Sequence, residues 1–322
     1  MNARPQPGPG SRDALVAPSC VPSGVSSLSN VPRWHREVKR SMSTMRLTRF
    51  ELLSADGGPL RGEVRTAGGG EGRPAVVICH GFKGFKDWGF FPKLAERLAR
   101  AGMTAVSFNF GGSGVGPDGE TFSEPERFGH CTYTNDLADL STITEALQSG
   151  DLTEELPAAA NYGLFGHSRG GGIAVLHAAK QSAVRAVVSW AAIAKLIRWD
   201  REVIERWRAT GTQDIVNTRT GETLKLHTDM LQDIEGNRKV LDIPNAAARV
   251  RAPWLILHGS NDESVPTAEA EILLAASDNT RTELRVIPNG THTFGAKHPW
   301  SGYTQQLTQA MDDTVGWFAS HL

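Results

Sequence analysis

Short apolar runs alternate with longer amphipathic segments along most of this chain. The runs at 75–79 and 254–258 are apolar at nearly every position, which is typical of strands buried on both faces. Phe91–Ala101 repeats its leucines at helical spacing and is followed by a glycine, a common stop signal of a helix. Arg46–Leu53 and Leu60–Thr66 flank a turn that contains glycine and proline, so this pair predicts a hairpin at the start of the fold.

The alternation continues to the end of the chain and predicts eight strands, with helices between them from the third strand onward. Such a pattern predicts the α/β class: a mostly parallel sheet with helices on both faces, here with an antiparallel start. Ligands bind beyond the carboxyl ends of the strands in these sheets. The other predicted strands are 103–110, 161–166, 185–190 and 283–288, and the other predicted helices are 135–148 with Asn135 as its cap, 169–179, 267–276 and a last helix that ends at Phe318.

Two segments depart from this rhythm. Residues 1–44 are rich in Pro, Ser, Gly and Arg and have no apolar period, so we expect a disordered N-terminal extension. Residues 45–322 then form one domain. Within it, residues from about 195 to 248 contain helical stretches and a hairpin that turns at Thr220-Gly221, and they predict a small lid inserted between two strands of the sheet.

Composition and charge exclude several classes of partner. The chain has 322 residues, 39% of them hydrophobic and 21% charged, with a net charge of −1. That balance offers no electrostatic case for nucleic acid or for an anionic membrane, and no apolar run approaches the roughly 18 residues of a membrane helix. The three cysteines have no Cys-x-x-Cys spacing, so we expect neither a disulfide framework nor a zinc site, and a reduced cytoplasmic location.

The strongest chemical signal is Gly166-His-Ser168-Arg-Gly170, which lies between an apolar run of strand type and an Ala/Leu-rich helical run. This is Gly-x-Ser-x-Gly in the strand, turn and helix context that the motif requires. The serine must sit at the apex of a strained turn so that its hydroxyl is free of the backbone. The flanking glycines avoid collisions where strand and helix approach closely. We therefore identify Ser168 as a candidate nucleophile.

Two further candidates follow the last two strands. Asp262 comes shortly after the strand at 254–258, and His292 comes after the strand at 283–288. A serine hydroxyl is a poor nucleophile at neutral pH, so His292 would take its proton while Asp262 would orient and stabilise the imidazole. Glu263 is adjacent and could serve as the acid, but we prefer Asp262 because of its position in Gly-x-x-Asp-x-x-Val-Pro.

An oxyanion hole needs two backbone N–H groups that point at the developing negative charge. Arg169 supplies one candidate, since it follows the nucleophile at the start of a helix. Phe82 supplies the other, from the loop after the third strand, where Gly81 permits the turn. His80 is expected to support this loop rather than to react, and His167 is expected to point away from the site.

The chain resembles the α/β-hydrolase superfamily over about residues 46 to 322. The resemblance is carried by the order of three motifs, Gly-His-Ser168-Arg-Gly, Gly-Ser-Asn-Asp262 and Thr-His292, and by His80-Gly-Phe after strand three. Within that superfamily, the size and the lid look like small dienelactone-hydrolase-like and cinnamoyl or feruloyl esterases. The resemblance implies the α/β-hydrolase fold and a serine hydrolase. Dienelactone hydrolases themselves use a cysteine nucleophile, so Ser168 departs from their pattern and their substrate is not carried over.

The remaining candidates concern the pocket and possible metals. Trp88, Trp199, Trp207 and Phe294 could line an acyl or aryl pocket. The histidines show no metal-ligand spacing such as His-Glu-x-x-His, so we expect no metal and no cofactor.

The leading hypothesis is a cofactor-independent serine esterase that cleaves short-chain or aryl esters through an acyl-enzyme. A small-molecule ester is the expected partner, with no nucleic acid, no membrane and a possible homodimer. Two alternatives stay open: an amidase or S9-type peptidase with the same triad, and a non-catalytic binding protein on a hydrolase scaffold.

Overall fold

The computed structural model describes residues 44–68, 72–217 and 221–322. The expected disordered extension at 1–44 lies outside these residues except for Thr44, and the predicted hairpin turn at Thr220-Gly221 lies partly outside them.

Eight strands form one sheet in the order β1-β2-β4-β3-β5-β6-β9-β10. Strand β2 pairs antiparallel with β1 and with β4, and the other neighbours are parallel. The predicted α/β class, with a mostly parallel sheet and an antiparallel start, is therefore confirmed. The strands are β1 Met45–Leu53, β2 Pro59–Ala67, β3 Ala75–Cys79, β4 Thr104–Phe108, β5 Tyr162–His167, β6 Val184–Trp190, β9 Trp254–Gly259 and β10 Thr282–Ile287.

Helices cover both faces of this sheet, and a separate two-stranded sheet is formed by β7 Thr212–Val216 and β8 Thr223–His227. The helices are α1 Phe91–Arg100, α2 Pro125–Gly129, α3 Tyr133–Ser149, α4 Arg169–Ala178, α5 Arg201–Thr210, α6 Asp229–Gly236, α7 Ile243–Ala247, α8 Thr267–Ala276 and α9 Gln305–His321.

The alternation of side chains along β3 shows how the two faces are filled. Val76 and Ile78 belong to the core layer beneath α1 and α9, whereas Val77 and Cys79 belong to the layer beneath α3 and α4. Neighbouring strand residues point to opposite faces, so a strand between two helical layers must be apolar throughout. This is why the shortest and most apolar runs of the sequence lie at the centre of the sheet.

The helices differ from the prediction at several points. Thr132 rather than Asn135 caps α3, and the Thr132 side chain accepts a hydrogen bond from the Asn135 N–H at 3.2 Å. The short helix α2 was not expected, since five residues hold less than two helical turns and show no period. The sequence predicts a helical stretch over Lys195–Ala209, whereas helix α5 begins only at Arg201 and residues 195–200 form an irregular connection.

The segment from 195 to 248 contains α5, the β7–β8 hairpin, α6 and α7, and it joins β6 to β9. Helix α5 buries only Trp207. Asp233 in α6 ties the segment to the start of α3, because its carboxylate accepts the backbone N–H groups of Tyr133 at 2.9 Å and Thr134 at 3.1 Å. The segment is thus an insertion whose hairpin and helices α6 and α7 contribute side chains to the main core, whereas α5 is mostly exposed.

Among the described residues, no helix combines the length and the apolar character that crossing a bilayer requires.

Three imidazoles are buried where α4 and the loop after β3 meet the sheet. Burial lowers the pKa of His167 to about 3 and that of His80 and His177 to about 4. His177 also contacts the Tyr162 hydroxyl, at 3.0 Å from its Nε2. All three side chains are therefore neutral in the folded protein at pH 5 to 7.

This burial predicts acid lability. The pKa of each histidine returns to about 6.5 in the unfolded chain, so below that pH the unfolded chain takes up protons that the fold excludes. The free energy of unfolding should fall by about 1.4 kcal/mol per pH unit for each group as the pH is lowered from about 6.5 toward 4. Urea denaturation at pH 7, 6 and 5 measures the slope.

The variant His177→Gln provides the control, because it keeps a polar side chain beside Tyr162 but removes one titrating group. The free energy of unfolding of this variant should fall less steeply with decreasing pH than that of the wild-type protein, by about 1.4 kcal/mol per pH unit, which corresponds to one proton fewer. An equal slope in both proteins would contradict the assignment.

Candidate active site

Ser168 lies at the turn between β5 and α4, with a backbone φ of 56° and ψ of −119°. A positive φ is rare for a residue with a side chain and costs about 1–3 kcal/mol, so the surroundings must hold it. The Ser168 N–H donates to the Trp190 carbonyl at 2.9 Å, and the Ser168 carbonyl accepts from Gly171, Gly172 and Ile193. The turn is therefore locked by the first turn of α4 and by the end of β6.

The glycines of the motif are required by close approach of backbone to backbone. A Cβ at Gly166 would lie 2.4 Å from the Gly170 carbonyl oxygen. A Cβ at Gly170 would lie 2.3 Å from the His80 carbonyl oxygen. Both glycines allow β5, α4 and the loop after β3 to converge behind Ser168.

His292 and Asp262 are brought together by the loops after β10 and β9. The His292 Nδ1 lies 2.8 Å from the Asp262 Oδ2, and the Asp262 side chain is completely buried while His292 is 22% exposed. The other carboxylate oxygen of Asp262 accepts the backbone N–H groups of Ser264 and Val265, both at 2.9 Å. Glu263, the alternative acid, is exposed.

Two opposing effects act on the pKa of Asp262. Burial disfavours its charged form, but the hydrogen bonds from His258 and His292 and the charge of His292 outweigh that effect and hold the pKa well below its usual range. The carboxylate is therefore ionised and can only accept hydrogen bonds. Because it faces Nδ1 of His292, it holds the proton on that nitrogen and leaves Nε2 free to act as a base.

His258 is a second imidazole on the same carboxylate, and sequence reasoning did not assign it a role. Its Nε2 lies 3.4 Å from the Asp262 Oδ2 and 2.8 Å from the Val265 carbonyl oxygen, and the side chain is fully buried. His258 lies at the end of β9, four residues before Asp262. That position was the available signal, but only the tertiary structure shows that the ring contacts the acid.

His167 connects the serine turn with the His292 loop. Its Nε2 lies 2.9 Å from the His292 carbonyl oxygen, and the two rings are 4.7 Å apart. The expectation that His167 points away from the site is therefore wrong. A carbonyl oxygen only accepts hydrogen bonds, so Nε2 of His167 carries the proton. This contact holds the backbone of His292 next to His167, the neighbour of Ser168.

The Ser168 hydroxyl makes no hydrogen bond to any residue of the described ranges. A bond to the Nε2 of His292 is thus not formed in this conformation. Such bonds are often long before a substrate binds and shorten in the complex.

The loop after β3 passes directly over Ser168. A Cβ at Gly81 would lie 3.1 Å from the Ser168 Cβ, so a larger residue would crowd the serine. His80 braces this loop, as expected: its Nε2 accepts the Phe110 N–H at 3.1 Å, and its Nδ1 lies 2.9 Å from the Gly81 carbonyl oxygen. Within the described residues, the N–H of Phe82 donates to no protein acceptor and is available to a ligand.

The Arg169 side chain, and not only its backbone N–H, has a structural role, because it is buried and anchored. Its Nε lies 2.6 Å from the Asp136 Oδ2, and its Nη2 donates to the Thr132 carbonyl at 3.0 Å. The guanidinium also lies 4.1 Å from the centre of the Tyr133 ring and 5.6 Å from that of Phe82. Arg169 therefore joins the start of α4, the start of α3 and the loop after β3.

The four aromatic pocket candidates divide into two pairs. Trp207 and Phe294 are 0% and 1% exposed and pack in the core, Phe294 against Trp190 and Trp207 against Trp199. Neither is available as an exposed pocket wall in this conformation, because core packing occupies both rings. Trp88 and Trp199 are half-buried, and their role in a pocket stays a prediction.

The sheet order, the serine turn and the paired loops after β9 and β10 define an α/β-hydrolase fold. The chain belongs to the Hydrolase_4 family, whose family model is described as serine aminopeptidase, S33, and matches residues 70–235, just over half of the chain.

Two relatives of known name are similar in sequence. The 2,6-dihydropseudooxynicotine hydrolase of Paenarthrobacter nicotinovorans is 27% identical over 76% of this chain, and the chain spans 59% of that protein. The serine hydrolase BPHL of Mus musculus is 27% identical over 70% of this chain and 75% of its own length.

Solved structures are similar in fold at lower identity. The ferulic acid complex of Est1E from Butyrivibrio proteoclasticus superposes with a TM-score of 0.63 at 18% identity, over 84% of this chain and 98% of that one. The dienelactone hydrolase from Anabaena variabilis superposes with a TM-score of 0.57 at 21% identity, over 87% of this chain and 99% of that one. At these identities the likeness supports the fold.

The close approach behind Ser168 predicts that Gly166→Ala is strongly destabilising. The added methyl group meets backbone atoms that cannot turn away, so the free energy of unfolding should fall by about 3 kcal/mol, the upper part of the range for overpacking. Urea denaturation measures the loss.

Gly316→Ala is the matched control, because Gly316 is exposed in α9 and a Cβ there meets nothing within 4 Å. This variant should be neutral or stabilise by up to about 1 kcal/mol. Equal stability of the two variants would show that the turn behind Ser168 relaxes more readily than its contacts imply.

Proposed function

We propose that this protein is a serine hydrolase of carboxylic esters that works through an acyl-enzyme. Ser168 is the nucleophile, His292 the base and Asp262 the acid of the triad. The observation that carries the proposal is the 2.8 Å contact between the His292 Nδ1 and a fully buried Asp262 carboxylate, in loops that meet the serine turn. An orienting carboxylate on one nitrogen leaves the other nitrogen to act on a hydroxyl.

The proposal assigns a group to each step of the reaction. As the Ser168 oxygen attacks the ester carbonyl, its proton passes to the Nε2 of His292. The N–H groups of Phe82 and Arg169 stabilise the resulting oxyanion, and each such donor lowers the barrier by about 3 kcal/mol. The imidazolium then protonates the departing alcohol. His292 next takes a proton from water as the water oxygen attacks the acyl carbon. The bond between that carbon and the Ser168 oxygen then breaks, and the imidazolium returns the proton to Ser168 as the acid is released.

Two features favour an ester among the possible acyl substrates. The structural relatives include an esterase domain from Rhodothermus marinus and Est1E, whose complex contains ferulic acid, an aryl acid. The half-buried Trp88 and Trp199 would suit an aryl or short acyl group. We therefore propose short-chain or aryl esters as the substrate class.

The inserted segment 195–248 is proposed to act as a lid. Its hairpin reaches the loop after β3, where the Lys83 Nζ lies 3.5 Å from the Val216 carbonyl oxygen. Helix α5 contributes one buried residue, so few contacts hold that part of the segment in place.

An amidase or peptidase is the second candidate. The family description, serine aminopeptidase, favours it, and the same triad would serve both reactions. The two substrates differ in the leaving group, which is an alcohol for an ester and an amine for an amide. A non-catalytic binding protein is disfavoured by the intact His292–Asp262 pair, which binding alone would not require.

Ser168→Ala tests the nucleophile. Hydrolysis of p-nitrophenyl butyrate should fall at least about 10⁴-fold, since the residual rate without a nucleophile comes only from binding and oxyanion stabilisation. Ser149→Ala, an exposed position near the end of α3, should retain the wild-type rate.

A fluorophosphonate probe should label the wild-type protein at Ser168 and leave the alanine variant unlabelled. Turnover by Ser168→Ala at the wild-type rate would rule out the proposal. Absence of labelling in a folded wild-type protein would instead favour a binding protein. Aminoacyl p-nitroanilides, assayed in parallel, distinguish the peptidase from the esterase by the ratio of kcat/KM values.

A second pair of variants distinguishes the two adjacent carboxylates. Asp262→Asn should lower kcat about 10⁴-fold, because an amide facing the Nδ1 of His292 favours the wrong tautomer. Glu263→Gln should remain within about twofold of the wild-type protein, since its exposed side chain lies outside the contact. The measurement is kcat for p-nitrophenyl butyrate. A larger loss of kcat in Glu263→Gln than in Asp262→Asn would identify Glu263 as the acid of the triad.

A further inference from the structure

Two histidines from distant parts of the chain meet at the surface. His130 caps the C-terminal end of α2, and His227 is the last residue of β8 in the inserted segment. Their rings are parallel, with centroids 4.2 Å apart and an interplanar angle of 2°. The ligand atoms of these two residues and of Glu126 all lie within 4.8 Å of one another.

Helix α2 presents two of these groups on one face, because Glu126 and His130 are four residues apart. The His130 Nε2 lies 3.9 Å from the Glu126 Oε2, and the His130 Nδ1 lies 3.1 Å from the Asp229 Oδ1. A carboxylate beside Nδ1 favours a proton on that nitrogen, so Nε2, which lies on the side of Glu126, is the nitrogen that would bind a metal. A carboxylate behind a histidine orients metal-binding imidazoles in the same way.

His227 lies flat against α2 because position 129 is a glycine. A Cβ at Gly129 would lie 2.8 Å from the Cδ2 of His227 and 3.3 Å from its Nε2. Within the described residues, neither ring nitrogen of His227 has a hydrogen-bond partner. Its lone pair is therefore available to a ligand.

From this juxtaposition we propose that Glu126, His130 and His227 form a binding site for a divalent transition-metal ion, with Zn²⁺ as the best-suited ion. Imidazole nitrogens with a carboxylate oxygen favour zinc and its neighbours, whereas Mg²⁺ and Ca²⁺ prefer oxygen alone. The carboxylates of Glu126 and Asp229 also give the site negative charge, which attracts a dication.

Binding of an ion requires two local movements. Metal–ligand bonds of about 2.0–2.2 Å place tetrahedral ligand atoms about 3.3 Å apart, so the present separations must shorten by up to about 1.5 Å. One ring must also turn out of the stack, because the lone pair of an imidazole lies in the ring plane. The side chains of Glu126 and His130 are 86% and 52% exposed, so they are free to turn.

The site joins two parts of the fold. Glu126 and His130 belong to α2, whereas His227 and its neighbour Asp229 belong to the inserted segment. A bound ion would hold the hairpin against α2 and so restrain the segment proposed as the lid. Three protein ligands leave a fourth position to water, which is the arrangement of an open rather than a closed zinc site.

Titration calorimetry of the untagged full-length protein with ZnCl₂ tests the site. The wild-type protein should bind one ion per chain with His130 and His227 as ligands, and His130→Ala and His227→Ala should each weaken binding at least tenfold. Asp229→Asn should weaken it about tenfold by releasing the orientation of His130. His321→Ala, which removes a histidine at the end of α9, should bind as the wild-type protein does.

Thermal unfolding gives an independent readout. ZnCl₂ should raise the unfolding midpoint of the wild-type protein and of His321→Ala, and should leave that of the His130→Ala, His227→Ala double variant unchanged. No Zn²⁺ binding by the wild-type protein, or equal binding by the double variant, would overturn the proposal. An equal shift with MgCl₂ would overturn the choice of ion.

Discussion

Ser168 holds a left-handed backbone conformation that a serine rarely adopts, and hydrogen bonds at its own peptide groups keep it there. The turn lies at the end of β5, which is flanked by β3 and β6. The carbonyl of Trp190 at the end of β6 is therefore in position to accept the Ser168 N–H. It also requires that Gly166 and Gly170 carry no side chain, because backbone atoms fill that space. The position of the loop after β3 follows, since Gly81 must pass within contact distance of Ser168.

Buried charges hold the rest of the site in place. Asp262 accepts hydrogen bonds from two backbone groups and from the ring of His292, and Arg169 pairs with Asp136. A buried charge without partners costs several kcal/mol, so each partner is required once the charge is inside. These contacts leave each side chain few alternative positions, which suits groups that must be oriented before a substrate arrives.

The strands were the most predictable part of the fold. The apolar run at 75–79 coincides with β3, because a strand between two helical layers has no polar face to disturb the pattern. Helix α2 could not be predicted, since five residues are too few to show a helical period. The spatial order of the strands was equally hidden, because periodicity reports which face a residue occupies and not which strand lies beside it.

The sequence by itself determined the α/β class and the candidate residues Ser168, Asp262 and His292, since local signals mark strands, turns and the polar positions that follow them. Only the tertiary structure decided which side chains those residues meet. The contact of His258 with Asp262 and the stacking of His130 on His227 join residues whose spacing carries no recognised pattern. The physical reason is that contacts across a fold depend on how strands and helices are arranged in space, and a linear pattern does not contain that arrangement.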